Sequence, residues 1–338
     1  MSGTGDSAAV GAILEVRDLT VAYTTDRGVV NAVDRVSFDV QRGEFIGVVG
    51  ESGCGKSTLL FAIAQLLSPP ATITAGTVRF NGTDLVTMTE KALRAVRWRD
   101  YSVVMQSAMN ALNPVLQVAA QFKDVLRAHG TTSPAQIRTR SEEVMALVGI
   151  DATHLKSYPH QLSGGMRQRI MIAMALLFSP DLVIMDEPTS ALDVVAQRSL
   201  MVQIKELQRQ LGFAIVFVTH DMSLVSHFSD RLMVMYAGQA VEVGTTRTVF
   251  DTPTHPYSRG LLDAFPSIRG PRVPLTGIPG SPPDLANTPS GCRFHERCPS
   301  ALERCSTNEP ELYDVDGVLS RCLMHAPLSA DPQPVVLR

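Results

Sequence analysis

The sequence has no apolar run long enough to cross a membrane and no large excess of charge of either sign. Its longest apolar stretch, Ile170–Phe178, is too short to span a bilayer as a helix. A formal net charge of −3 gives no basic field that would attract nucleic acid. The first residues contain no cationic segment followed by an apolar run, so they lack the pattern of a signal peptide. We therefore expect neither a membrane-spanning chain nor a nucleic-acid partner.

Cysteine is scarce and unevenly distributed. The chain has five cysteines, and four of them follow residue 290. The sequence also lacks internal repeats with a period of about 20–50 residues, which indicates a single copy of its main module. Apolar residues, in contrast, make up 45% of the sequence, which is enough for a packed core and too many for wholesale disorder.

Strand-like and helix-like segments alternate along most of the chain. Short β-like runs separated by glycines lie within Leu14–Val49, and a helix is predicted over about Lys56–Leu67. Residues 114–156 have mainly helical spacing. Two wholly apolar strands, "LVIM" and "AIVFV", flank a helix predicted over Val194–Leu211. Because such strands need cover on both faces, the pattern predicts an α/β fold with a largely parallel sheet.

A glycine-rich loop lies between the strand "FIGVVG" and the first helix. The segment "GESGCGKST" fits the phosphate-loop pattern G-x-x-x-x-G-K-[ST], in which backbone N–H groups at a helix N-terminus surround phosphate oxygens. Lys56 is predicted to reach the β- and γ-phosphates, and the Ser57 hydroxyl to bind Mg²⁺. A glycine-rich turn with an incidental lysine is the alternative. The predicted ATP-binding residues of this loop are Gly50, Glu51, Ser52, Gly53, Cys54, Gly55, Lys56, Ser57 and Thr58.

Two acidic residues end the apolar strand "LVIM". Asp186 and Glu187 follow it at the carboxyl edge of the predicted sheet, where such sheets bind ligands. Asp186 is predicted to hold Mg²⁺ through water, and Glu187 to orient or deprotonate the attacking water. A solvated strand end or a helix cap is the alternative for such a pair when no phosphate loop precedes it.

The segment "QLSGGMRQR" resembles the signature of ABC-type ATPases, LSGG(x)₂QR, at Leu162–Arg169. Other motifs of that family occur in the right order. Tyr23 resembles the aromatic that stacks on adenine, and Gln106 resembles the glutamine of the Q-loop. Residues Ser190–Asp193 resemble the D-loop, and His220 resembles the switch histidine. The resemblance implies a P-loop NTPase fold with an antiparallel β subdomain and a helical subdomain at about residues 107–178.

The same resemblance implies a mechanism. Two such domains close head to tail over two ATP molecules, so that the signature loop of one subunit completes the site of the other. The residues predicted to act in trans are Ser163, Gly164, Gly165 and Gln168. Glu187, His220 and Gln106 are the predicted catalytic residues, and Gln106 joins Ser57 and Asp186 as a predicted Mg²⁺ ligand.

Segments after the Q-loop and after residue 254 resemble the oligopeptide and dipeptide importers, a subfamily that includes nickel transporters. They are "SAMNALNPVLQV", which has Ser107–Ala108 where Asp-Pro is usual, "HPYSRGLLDAFP" and "LTGIPGSPPDL". The resemblance implies two transmembrane permease subunits, a second ATPase subunit, an extracytoplasmic substrate-binding protein and a peripheral position on the cytoplasmic face of the inner membrane. Import of nickel or another small solute is an alternative, as is a soluble ABC ATPase that acts on nucleic acid or ribosomes.

The four late cysteines follow a proline-rich segment with seven prolines in Pro266–Pro289. Their spacing lacks the tight C-x₂₋₄-C pairs usual at zinc sites, and the residues alone leave Zn²⁺ and an iron–sulfur cluster open. The importer resemblance implies a [4Fe–4S] cluster bound by Cys292, Cys298, Cys305 and Cys322. The predicted domains are a nucleotide-binding domain (13–264), a proline-rich linker (265–290) and a Cys-rich C-terminal region (291–338). Because this region is expected to be separate from the phosphate loop, a change at Cys298 is expected to spare ATP binding.

Overall fold

We describe a computed structural model over residues 11–26, 28–106, 111–190, 192–264 and 277–327. The strands, in chain order, are β1 (Leu14–Thr25), β2 (Gly28–Val40), β3 (Phe45–Val49), β4 (Ala71–Phe80), β5 (Thr83–Asp84), β6 (Tyr101–Val104), β7 (Leu182–Asp186), β8 (Ala214–Val218), β9 (Arg231–Tyr236), β10 (Gln239–Thr245), β11 (Tyr313–Val315) and β12 (Val318–Ser320). The helices are α1 (Lys56–Ile63), α2 (Glu90–Val96), α3 (Val118–Ala128), α4 (Pro134–Leu147), α5 (Gly164–Ala175), α6 (Val194–Leu211), α7 (Met222–Phe228), α8 (Thr246–Asp251) and α9 (Pro256–Asp263).

The strands form two sheets. The main sheet has the order β11-β12-β10-β9-β3-β8-β7-β6, and its section from β9 to β6 is parallel. The second sheet, of order β2-β1-β4-β5, is antiparallel. The predicted parallel sheet and antiparallel β subdomain are therefore confirmed.

Strand β3 shows how the main sheet divides the core. Successive side chains of a strand point to opposite faces. Phe45 and Val49 accordingly pack into one apolar cluster with residues of α3 to α7. Ile46 and Val48 pack into a second cluster with α1 and the antiparallel sheet. All five residues of β3 are buried, which explains the continuous apolar run.

The helical predictions hold, with one difference at the end of α1. Helices α3 and α4 and a 3₁₀ turn at Ala152–Lys156 fill the segment with helical spacing. Helix α1 ends at Ile63 and does not continue to Leu67. Gln65 takes a left-handed φ of 54°, and the amide of Leu66 donates to Phe61 O at 2.8 Å. Such a bond closes a helix C-terminus, and the left-handed residue in it is usually glycine. Because glutamine occupies this place, the early end of the helix could not be predicted.

The Cys-rich region packs on the nucleotide-binding domain. Strand β12 pairs with the edge of the main sheet at Glu242–Ser320 and Val243–Leu319. The buried Phe294 ring makes edge contacts with Tyr236, at 5.2 Å between centroids. The expectation that this region is spatially separate from the cassette is therefore wrong, because the region extends the sheet and shares its core. The predicted domain boundaries remain predictions.

Part of the predicted proline-rich linker, residues 265–276, lies outside the described residues, as do Ser107–Asn110. The described part of the linker contains a 3₁₀ turn at Leu285–Asn287. No helix in the described ranges is both long enough and apolar enough to cross a membrane.

Candidate nucleotide site

The phosphate loop follows β3 and leads directly into α1. Its glycines are required by close backbone contacts. Gly55 has a φ of 101°, and a Cβ atom there would lie 2.1 Å from Ala32 O. At Gly50 a Cβ atom would lie 2.2 Å from Met235 O. Both approaches are impossible for a residue with a side chain, so the neighbouring strands fix the loop and its N–H groups at the start of α1.

Lys56 lies inside this loop. Its side chain is buried, and Nζ donates to the carbonyl oxygens of Gly50 (2.8 Å) and Glu51 (2.9 Å). Nζ also lies 3.7 Å from the buried Cys54 Sγ. The ammonium group is therefore held within the turn that the sequence predicts to surround phosphate. These carbonyl contacts are ones that phosphate oxygens can replace.

Ser57 and Asp186 come together at the carboxyl edge of the sheet. Ser57 Oγ donates to Asp186 Oδ1 at 3.2 Å. Asp186 is only 2% exposed, and this burial raises the pKa of its carboxyl group. A hydroxyl and a buried carboxylate are hard oxygen ligands of the kind that Mg²⁺ takes, so this pair fits the ion.

Three adjacent parallel strands deliver the predicted catalytic side chains. Gln106, Glu187 and His220 lie just beyond the ends of β6, β7 and β8. Gln106 Nε2 donates to Glu187 Oε2 at 3.1 Å, and His220 Nδ1 lies 2.9 Å from Glu187 Oε1. Glu187 itself has a left-handed φ of 42°. The sheet thus brings together three residues that are far apart in the sequence.

The predicted adenine aromatic also lies at this loop. Tyr23, on β1, has its hydroxyl 3.1 Å from Thr58 Oγ1, in the first turn of α1. The antiparallel sheet therefore places an aromatic ring next to the phosphate loop.

The signature segment lies at the N-terminus of another helix, α5. Ser163 is the N-cap of α5, and its Oγ accepts from the Met166 amide at 3.2 Å. A Cβ atom at Gly165 would meet no atom within 4 Å. Gln168 is buried, and its Oε1 has no partner among the described residues. This segment begins α5, whereas the phosphate loop leads into α1, and the described residues show no hydrogen bond between the two motifs.

The D-loop segment precedes α6. Asp193 caps this helix, with Oδ1 accepting from the Ala196 amide at 2.9 Å. The amide of Ser190 donates to Glu187 O at 3.2 Å. Ala191 lies outside the described residues.

Two contacts of the loop were not predicted from the sequence. The Glu51 carboxylate forms a two-pronged ion pair with Arg297, which lies in the Cys-rich region. The Glu51 amide donates to the Tyr257 hydroxyl at 2.9 Å. Tyr257 lies in the segment "HPYSRGLLDAFP", but nothing in that segment pointed to the loop. The sequence signal for Arg297 was limited to an acidic residue inside a loop that is predicted to bind phosphate.

The late cysteines are free thiols. Burial, together with the nearby Cys305, Cys322 and Cys298, raises the pKa of Cys292 to about 11. The amide of Cys292 donates to Cys305 O at 2.8 Å. In the part of the chain that the structure describes, no group of three or more His, Cys, Asp or Glu side chains is arranged to hold a metal ion. The predicted [4Fe–4S] cluster is therefore not confirmed.

Known proteins match nearly the whole chain. The ABC transporter family matches residues 33–190, and the family described as oligopeptide/dipeptide transporter, C-terminal region, matches residues 241–305. The dipeptide transport ATP-binding protein DppD of Bacillus subtilis is 44% identical over 301 residues, which cover 88% of this chain and 90% of that protein. The oligopeptide transport ATP-binding protein OppD of Escherichia coli is 42% identical over 313 residues, or 92% and 93% of the two chains. This chain belongs to the ABC ATP-binding subunits of the oligopeptide/dipeptide transporter family.

Solved structures agree with the fold of this ABC subunit. A dimeric ATP-binding cassette in a post-hydrolysis state, bound to ADP and Pi, matches with a TM-score of 0.62 and 27% identity. The match covers 69% of this chain and 99% of the cassette. The protein cbiO1 of Clostridium perfringens, part of the ABC transporter complex cbiONQ, matches with a TM-score of 0.62 and 28% identity over 71% of this chain and 91% of its own. The predicted ABC fold is thereby confirmed.

Proposed function

We propose that this ABC subunit hydrolyses ATP to energise the import of dipeptides or oligopeptides through partner permease subunits. The observation that carries the proposal is the position of Glu187. Its carboxylate is held by Gln106 and His220 at the sheet edge that also carries the Ser57–Asp186 pair. Support for a peptide cargo comes from the relatives, whose names describe dipeptide and oligopeptide transport.

In the proposed reaction, the loop amides and Lys56 bind the β- and γ-phosphates. Ser57, Asp186 and Gln106 would hold Mg²⁺, which would offset the negative charge of the phosphates. Glu187 accepts a proton from the water whose oxygen bonds to the γ-phosphorus. The bond to the bridging oxygen breaks, and ADP and phosphate leave. His220 keeps the Glu187 carboxylate oriented through the contact at Oε1.

The remaining predicted residues bind the nucleotide from two subunits. Tyr23 stacks on adenine, and the loop residues from Gly50 to Thr58 surround the phosphates. Ser163, Gly164 and Gly165 contribute N–H groups at the start of α5 to the nucleotide of a second ATPase subunit. Gln168 is buried, so its part is to support that helix start. The separation of the two motifs within one chain supports this arrangement.

The proposed complex contains two permease subunits, a second ATPase subunit of identical or related sequence, and an extracytoplasmic substrate-binding protein. This subunit would sit peripherally on the cytoplasmic face of the inner membrane. The match of residues 241–305 to the C-terminal region of oligopeptide/dipeptide transporters supports an importer over a soluble ABC ATPase that acts on ribosomes or nucleic acid. Nickel or another small solute remains the alternative cargo.

The test is reconstitution with the chains that co-purify from membranes. We expect permease subunits to co-purify, and vesicles that contain the complex and internal ATP to take up labelled peptide. Nickel transport in the same vesicles without peptide transport would replace the cargo assignment. Co-purification with ribosomes or nucleic acid in place of permeases would contradict the importer.

We further propose that the tail binds a [4Fe–4S] cluster through Cys292, Cys298, Cys305 and Cys322. Cys305, Cys322 and Cys298 all contribute to the raised pKa of Cys292, which supports the proximity of the four thiols. These free cysteines would supply four soft thiolate ligands, which is the kind of ligand that iron takes in such a cluster. Protein purified without oxygen is expected to contain iron and acid-labile sulfide in near-equal amounts. Stoichiometric zinc without either would contradict the cluster.

A further inference from the structure

Arg297 connects the Cys-rich region to the phosphate loop. It is 7% exposed, and its guanidinium group donates to both carboxylate oxygens of Glu51, from Nη1 to Oε2 at 2.7 Å and from Nη2 to Oε1 at 3.0 Å. Nε donates to Pro279 O at 2.8 Å, and Nη1 also lies 3.3 Å from the Tyr236 hydroxyl. The bond to Glu51 raises the pKa of Arg297. The arginine is thus fixed by the tail, the linker and β9 at once.

The side-chain carboxylate, the backbone amide and the backbone carbonyl of Glu51 all form hydrogen bonds. The carboxylate binds Arg297, the amide donates to Tyr257, and the carbonyl oxygen accepts from Lys56 Nζ at 2.9 Å. Glu51 therefore joins the C-terminal part of the chain to the lysine that is proposed to bind phosphate.

The charge of Glu51 is the reason that this pair matters. A carboxylate in the phosphate loop repels the phosphates of ATP, and the repulsion is strong where water is excluded. Arg297 offsets that charge, and a two-pronged arginine–carboxylate pair also fixes the direction of both side chains. The same carboxylate without its arginine would be both unpaired and free to turn towards the nucleotide.

We propose that Arg297 is a positioning residue for ATP: it neutralises Glu51 and keeps that carboxylate from turning towards the bound phosphates. The Cys-rich region is then part of the nucleotide site and not an appendage. This inference rests on the proposed role of Gly50–Thr58 in ATP binding.

The test compares ATP affinities of full-length variants by equilibrium binding of a labelled nucleotide. Arg297→Gln is expected to weaken ATP binding roughly tenfold, because it leaves Glu51 unpaired. Glu51→Gln is the second single variant, and it is expected to lose less affinity than Arg297→Gln, because it removes the unpaired charge together with the ion pair. The double variant Arg297→Gln/Glu51→Gln is expected to recover most of the affinity. A role in anchoring the tail alone predicts no such recovery, since the tail contact is missing in both variants.

Arg304→Gln is the matched control. It removes a tail arginine whose Nη2 donates to Leu323 O at 2.6 Å, within the tail, and it should leave ATP affinity unchanged. If Arg297→Gln does not fold, as judged by circular dichroism, Arg297→Lys takes its place, with a smaller loss and the same recovery by Glu51→Gln.

Two outcomes separate this inference from the proposed site. Wild-type affinity in folded Arg297→Gln, or a double variant as weak as the single one, would overturn the role of Arg297. Wild-type affinity in Lys56→Ala would show instead that the phosphate loop is not the ATP site.

Discussion

Two glutamates of this site differ in the partners that hold them. Glu187 is bound by an amide and by an exposed imidazole, and Gln106 and His220 leave it able to take a proton. Glu51 is bound by a buried arginine in a two-pronged pair. The arginine offsets the charge of Glu51 and fixes the direction of its carboxylate. We therefore expect Glu187 to take part in proton transfer and Glu51 to take none.

The largest expected effect is at Glu187. Glu187→Gln keeps the size and hydrogen bonding of the side chain but removes its ability to accept a proton. We expect ATP hydrolysis by the assembled complex to fall by about 10²- to 10⁴-fold while ATP binding is kept. Glu206→Gln, which changes an exposed glutamate paired with Arg209, is the control and should retain hydrolysis. Turnover at the wild-type rate in Glu187→Gln would show that Glu187 is not the base and would remove the distinction between the two glutamates.

Lys56→Ala is expected to have the next largest effect, on binding itself. Loss of a charged hydrogen-bond donor to phosphate corresponds to a decrease of about 10- to 100-fold in ATP affinity. The measurement is equilibrium binding of nucleotide to the full-length chain. Lys205→Ala, which removes an ion pair with Asp230, is the control and should leave affinity unchanged.

Cys298→Ser tests whether order in the tail affects ATP binding. Because Arg297 directly precedes Cys298, loosening the tail should weaken ATP binding by a few fold and increase cleavage of the tail by proteases. This expectation replaces the one from the sequence, in which ATP binding was spared. In an Arg297→Gln/Glu51→Gln background the same cysteine change should have no further effect on affinity. An undiminished affinity in Cys298→Ser, together with a loosened tail, would separate the tail from the loop.

The smallest expected effect is on the unfolding temperature, and it comes from a change at the buried Asp186. Because burial raises the pKa of its carboxyl group, the ionised form destabilises the nucleotide-free fold above that pKa, and the effect vanishes at low pH where the group is protonated. Asp186→Asn should therefore raise the unfolding temperature at neutral pH by about 2–4 °C and leave it unchanged in acid. Scanning fluorimetry at both pH values checks this. The same variant should lose the dependence of ATP binding on Mg²⁺.

The proximity of the predicted catalytic residues at one sheet edge could be expected from the sequence, because each of the motifs that carry them is local. Lys56 lies in a contiguous loop, and Asp186 and Glu187 directly follow an apolar strand, so strand order alone brings them together. The contact of Arg297 with Glu51 could not be predicted, since the two residues are 246 positions apart and both are variable positions of the patterns around them. The hairpin of β11 and β12 was missed as well, because strands of three residues carry almost no periodic signal.

The pairing of β12 with β10 has a consequence for solubility. Without it, β10 would present unpaired backbone N–H and C=O groups along the rim of a large sheet, and such a rim readily recruits strands from other molecules. The hairpin covers part of that rim and ends in β11, a strand of three residues that is too short to serve as a good template. The tail is thus also expected to reduce self-association of the cassette through this sheet edge.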